Sequence, residues 1–156
     1  MTSPKVFYLL QKAHSALFRA SDGFLKEHTG LSSSQQAVLL LLRKEGDLQI
    51  SVIADHLGMS RSSLSGLIDR MSAKGLVTRR PNDADGRSFE IHIEEAGLQL
   101  VGATVLDTKR MNAALLEPFS NEERETIERF LTHVAINAET IVKSNNSHPT
   151  KETAKS

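Results

Sequence analysis

Apolar side chains recur every three or four residues from Val6 through Leu10, Ala13, Leu17 and Ala20 to Phe24, which predicts one amphipathic helix ending near Gly30. Ser32 and Gln35 stand at capping-box spacing and announce a second helix. Its segment 37–42 is apolar all round, so this helix is expected at the centre of the fold. A short helical stretch, 51–57, leads through the turn Gly58-Met59-Ser60 into a fourth helix. Ser60 can cap that helix, and Leu64, Leu67, Ile68 and Met71 supply its buried side. Two helices joined by so short a turn have the form of a helix-turn-helix. Gly30, Gly46, Gly58 and Gly75 each follow a helical stretch, where left-handed caps would end it.

After Gly75 the period drops to two. Residues 76–80, and the alternation of Phe89, Ile91 and Ile93 with Glu90 and His92, predict two strands. The segment between them, 81–87, is dense in turn formers. Helical spacing returns at Ala96 and runs to about Leu116, where Pro118 breaks it. Ser120 and Glu123 form another capping box, opening a last helix with Ile127, Phe130, Leu131, Val134, Ala138 and Ile141 on one face. Residues 144–156 are rich in Ser, Asn, Thr and Lys and are expected to be a disordered tail. The pattern as a whole is mainly α with a small β-hairpin wing: a winged helix-turn-helix at 32–95, flanked by helical regions at 1–31 and 96–143. The flanking helices carry apolar stripes that one small winged domain cannot cover, which predicts a homodimer through these terminal helices.

With 156 residues, 39% hydrophobic and 24% charged, the chain has the size and composition of one globular domain. It holds no apolar run of the roughly 18 residues a membrane span needs. Its first residues lack a charged-then-apolar signal pattern, so it reads as cytoplasmic with no membrane partner. The absence of cysteine removes disulfides, thiolate metal sites and thiol nucleophiles. Net charge is zero, yet residues 60–81 hold five basic residues against the single acid Asp69, a local +4. Residues 117–139 hold six Glu against two Arg, a local −4. Such asymmetry suits a cationic side facing double-stranded DNA and an acidic side facing away.

Catalytic chemistry finds little support. Ser51, Asp55 and His56 are the residue types of a hydrolytic triad, but Asp55 and His56 are neighbours on one helix and cannot face each other. Neither a nucleophile elbow nor a Gly-rich phosphate loop occurs, so no enzyme and no cofactor is expected. The six histidines include no i,i+4 pair, so no metal site is expected either. Two alternatives stand beside DNA binding: a metal-responsive regulator of the same fold, and a winged helix used for protein docking.

Segment 53–79, IADHLGMSRSSLSGLIDRMSAKGLVTR, resembles the winged-helix core of the MarR family of bacterial transcription regulators. The wing does too, with Asp85-Gly86-Arg87 matching the family's Asp-x-Arg signature and Ala96-Gly97 following it. The likeness covers roughly residues 5–143. It departs at Ile93-Glu94, where the family often has Leu-Thr, so a threonine cap is missing and Glu94 and Glu95 at the helix's positive end offset part of the loss. The resemblance implies a dimer on a pseudo-palindromic site, usually acting as a repressor, and a small effector, often phenolic or otherwise aromatic, that releases the DNA. His14, Phe18 and Asp22, spaced by four along the first helix, would suit such a ligand. The plainer reading, which the spacing favours, makes Phe18 core and leaves the other two facing solvent.

For DNA itself, Arg61, Ser62, Ser63, Ser65 and Gly66 are short or basic and lie opposite Leu64, Leu67 and Ile68, as a helix entering the major groove requires. Arg70, nearer the far end, can reach backbone or base. Arg87 suits a minor groove, where narrow A·T tracts concentrate negative potential. Asp85 either holds Arg87 by a charge-assisted bond or only shapes the turn. Of Arg79 and Arg80, one should face outward, since strand side chains alternate. Ser33 and Ser51, at helix starts, either offer backbone N–H groups to phosphates or simply cap.

Overall fold

A computed structural model describes residues 5–145. Six helices and three short strands follow one another there as α1 (Val6–Thr29), α2 (Ser33–Glu45), β1 (Leu48–Gln49), α3 (Ile50–Leu57), α4 (Arg61–Ala73), β2 (Val77–Pro81), β3 (Phe89–Ile93), α5 (Glu95–Leu116) and α6 (Asn121–Asn145). Residues through Asp107 pack as one compact unit, and those from Thr108 as a second.

Helix α2 begins with the predicted capping box. The Ser32 hydroxyl accepts the Gln35 N–H at 3.2 Å, and the Gln35 side chain accepts the Ser32 N–H at 3.0 Å. Val38, Leu39 and Leu42 are fully buried, and Leu40 and Leu41 pack on the core from the sides, as the all-round apolar segment predicted. Around them lie Ile53 from α3, Leu64, Ile68 and Met71 from α4, Ile91 from β3 and Val101 from α5. The turn between α3 and α4 depends on Gly58, at φ 62° and ψ 32°, a conformation that costs a β-carbon-bearing residue energy. Gly46 differs from the expected left-handed cap. At φ 84° and ψ −155° it leaves α2 extended and passes the chain directly toward β1.

The sheet has three strands, in the order β1-β3-β2, all antiparallel. The two-residue β1 is an addition to the hairpin predicted from periodicity. Leu48 and Gln49 pair with Ile91 and Glu90, and a segment so short displays no period of its own. In the hairpin, Val77 pairs with Ile93, Arg79 with Ile91 and Pro81 with Phe89. Glu94, the departure from the family pattern, joins the strands to α5. The Thr78 hydroxyl donates to its carboxylate at 2.6 Å, and this bond, with Arg80 nearby, holds the Glu94 carboxyl below the usual carboxylate range.

Gly97, in the first turn of α5, is buried so tightly that a β-carbon would lie 2.4 Å from the Leu76 carbonyl oxygen and 3.1 Å from both Ile93 and Leu39. In the second unit, the Arg124 guanidinium Nε donates to the Leu116 and Phe119 carbonyls at 3.0 and 2.8 Å, satisfying acceptors at the end of α5. The Ser120/Glu123 capping box then opens α6. Ser144 and Asn145, expected in the tail, belong to α6, and residues 146–156 of the predicted tail lie outside the described residues. No described helix is long and apolar enough to cross a membrane.

Because a main-chain oxygen cannot step aside as a flexible side chain can, Gly97→Ala should destabilise the first unit by on the order of 1–3 kcal/mol. Denaturant unfolding followed by circular dichroism checks this, and an unchanged midpoint would show that α5 can lift off Leu76 at no cost.

Candidate nucleic-acid interface

Helix α4 has two sides of opposite character. Leu64, Ile68 and Met71 are fully buried and Leu67 nearly so, while Arg61, Ser62, Ser63, Asp69 and Arg70 are exposed and Ser65 and Gly66 half-buried. Its N-terminus is a cluster of hydroxyls. Ser60 caps the helix by accepting the Ser63 N–H at 3.2 Å, its hydroxyl donates to Ser63 Oγ at 2.8 Å, and Ser62 Oγ lies 3.4 Å away. Free N–H groups and the helix dipole make such an end attractive to an anion.

Arginines divide by whether an acid neutralises them. Arg79 reaches from β2 to α4, donating to Asp69 at 2.6 Å and to Ser65 Oγ at 3.3 Å. Arg80 lies 3.5 Å from Glu94. Arg61, Arg70, Lys74 and Arg87 have no acidic partner among the described residues. The predicted set therefore separates into free cations on α4 and the wing, and Arg79, which fixes one to the other. Asp69 was absent from the sequence-based candidates, although its place as the single acid in a basic stretch was a usable signal.

The wing loop, 82–88, is built by local polar bonds. Asn82 N–H donates to the Ser88 carbonyl, and Ala84 N–H to the Asn82 side chain. Of the two readings open for Asp85, turn chemistry is the one observed: its carboxylate accepts the Arg87 backbone N–H at 3.1 Å rather than the guanidinium. The Arg87 side chain is left exposed.

The phosphate reading of Ser33 is corrected, as is the capping reading of both Ser33 and Ser51. The Ser33 N–H is not free for a phosphate, because it donates to Asp22 Oδ1 at 2.9 Å, and the Ser33 hydroxyl donates to Ser21. Ser51 is the second residue of α3 and half-buried, the N-cap being Gln49. Asp22, expected to face a ligand, has its other oxygen 2.7 Å from Lys26 Nζ. Lys26 first, then the Ser33 N–H, hold the Asp22 carboxyl below its ordinary range, so it ties α1 to the start of α2. His14 and Phe18 do meet, with stacked rings 5.7 Å apart on the exposed side of α1. No group of three or more His, Asp or Glu among the described residues is arranged to hold a metal ion.

Residues 29–88, which hold the helix-turn-helix and most of the wing, match the family model described as MarR family. Over those residues the chain is similar to MarR-family proteins. Relatives that the chain matches over most of its length are named as transcription regulators. The chain is 27% identical over 135 residues to the transcriptional repressor IacR of Pseudomonas putida, covering 86% of this chain and 80% of that one. Two solved structures share the fold. MepR of S. aureus, in a DNA complex, superposes with a TM-score of 0.75 at 21% identity over 87% of this chain and 99% of that one. PcaV of Streptomyces coelicolor, in complex with its natural ligand, gives 0.71 at 22% identity over 88% and 99%.

The depressed Asp22 carboxyl makes a pH signature. A group whose folded pKa lies below its unfolded value contributes stability above the unfolded value and loses it as pH falls through the folded one. Asp22→Asn should therefore melt below the wild type at neutral pH. The gap in Tm should narrow below about pH 4 and close in stronger acid. A gap independent of pH would show that the asparagine, not the lost charge, is responsible.

Proposed function

We propose that this chain is a MarR-family, sequence-specific duplex-DNA-binding repressor, working as a homodimer and releasing its site when a small molecule binds. The observation that carries the DNA reading is the distribution of unpaired cations. Arg61, Arg70 and Lys74 on and just after α4 and Arg87 on the wing lack acids, while Arg79, standing between helix and wing, is already neutralised by Asp69. A polyanion presenting phosphates on either side of a groove is the natural partner for that pattern. The hydroxyl-lined start of α4 suits close approach to base edges or phosphates.

Exposed apolar residues support the dimer. Phe7 is 72% exposed on α1 and Ile136 75% on α6, with Tyr8, Leu9, Leu131 and Val142 close behind. Water contact at so many large side chains is relieved by a second copy, and two-fold symmetry then sets half-sites about one helical turn apart. Repression and effector release have the support of IacR, named a repressor, and of PcaV, solved with a natural ligand. The stacked, exposed His14–Phe18 pair favours an aromatic effector.

Mobility-shift titration tests the reading, using the duplex enriched by the wild-type protein from a random-sequence library, at two salt concentrations, with and without aromatic acids and with and without chelator. Specific binding reversed by one compound supports the whole proposal. Binding that disappears with chelator would instead favour metal control, and no preference over an unrelated duplex would favour protein docking.

Two variants sharpen it. Ser62→Asp places a carboxylate at the start of α4, where the helix dipole welcomes it but DNA phosphates do not. It should keep or raise Tm while weakening the complex at least about thirtyfold. Arg87→Ala should reduce the slope of log K against log salt by about one and weaken A·T-flanked sites most. Equal loss on every flank would identify an ordinary phosphate contact.

A further inference from the structure

Phe89 closes the apolar row of β3 and yet is 55% exposed, whereas Ile91 and Ile93 in the same row are buried. A single exposed apolar side chain decides nothing by itself. Its position is more informative. Strand alternation and the pairing of Pro81 with Phe89 and Arg79 with Ile91 put Phe89, Pro81 and Arg79 on one side of the hairpin. From that side Arg79 reaches Ser65 and Asp69 of α4. Phe89 and Pro81 thus form an apolar shelf on the helix-facing side of the wing, between the cations of α4 and Arg87.

We propose that Phe89, backed by Pro81, packs against deoxyribose at the wall of the minor groove that Arg87 enters. The inference rests on the duplex-DNA reading above and adds a contact to it. Two residues of chain span at most about 7 Å, close to the roughly 7.5 Å depth of the minor groove. Phenylalanine is also shorter than arginine. With the guanidinium at the groove floor, the ring two residues behind stands at the rim, where the walls are sugar C–H surface. From the rim it does not reach the stacked bases, so it acts as a side-on brace and not as a wedge that kinks the duplex.

The contact is apolar and releases no counterion, which separates it from every arginine contact. On the library-enriched duplex, Phe89→Ala should weaken binding about tenfold, from losing partial burial of one ring. Phe89→Leu should stay within about threefold of the wild type. Both should keep the wild-type salt slope, and hydroxyl-radical footprinting of Phe89→Ala should lose protection of a short run of sugars beside the wing and nowhere else. Wild-type affinity in Phe89→Ala, or a changed salt slope, overturns the inference. Loss of affinity through dissociation of the dimer, read by sedimentation, also overturns it and places the ring in a protein interface. Failure of the wild type to bind any duplex at low salt would overturn the DNA reading together with this one.

Discussion

Burial of Leu64, Leu67, Ile68 and Met71 seats one side of α4 in the core and thereby decides which way its arginines and serines face. Each of these side chains contributes roughly 1.5–3 kcal/mol when removed from water, so four of them outweigh any polar interaction the helix makes at its surface. Rotating α4 to bury a different side would expose that apolar area and bring Arg61 and Arg70 under low dielectric. The functional surface is in this sense the remainder after the core has taken what it needs. Its rigidity comes from the core, not from its own weak contacts.

The second constraint is the angle between that helix and the wing. Arg79 and Asp69 are both substantially exposed, and exposed ion pairs are worth about 0–1 kcal/mol. Stability is therefore not what this pair supplies. Its geometric effect is larger: a guanidinium from β2 held on two α4 side chains, one helical turn apart, couples the position of the hairpin to that of the helix. The same contact neutralises one positive charge between helix and wing, and leaves Arg61, Arg70, Lys74 and Arg87 as cations without an acid among the described residues.

Much of this was legible in the sequence because it is local. Capping boxes at Ser32/Gln35 and Ser120/Glu123, the Gly58 turn and the period-two run into β3 are all decided within a few residues, and each is found in place. What was misread is non-local. The Asp22 partner of Ser33 lies eleven residues away across a helix junction, and the two-residue β1 exists only because β3 arrives beside it from forty residues further on. Phe89 shows a different limit. Alternation correctly puts it on the face of Ile91 and Ile93, but periodicity reports a face and not where along a strand the core ends.

The joint between Asp22 and Ser33 also bears on how an effector could act. Helix α1 carries both the exposed apolar residues assigned to the dimer and the His14–Phe18 ring pair, and Asp22 follows Phe18 by one further turn. Its carboxylate holds the first N–H of α2, the helix at the centre of the winged unit's core. A displacement of α1 therefore reaches the reading surface through a hydrogen bond and a packed helix rather than through a loose linker. A ligand that binds equally well to α1 in both positions would change nothing, however tightly it bound. Release of DNA requires that the ligand favour the displaced position, and the required bias is of the size typical for coupled sites, about 1–3 kcal/mol. A contact confined to His14 and Phe18 travels with α1 and supplies no such bias, so an effector that releases DNA must also touch a surface against which α1 moves.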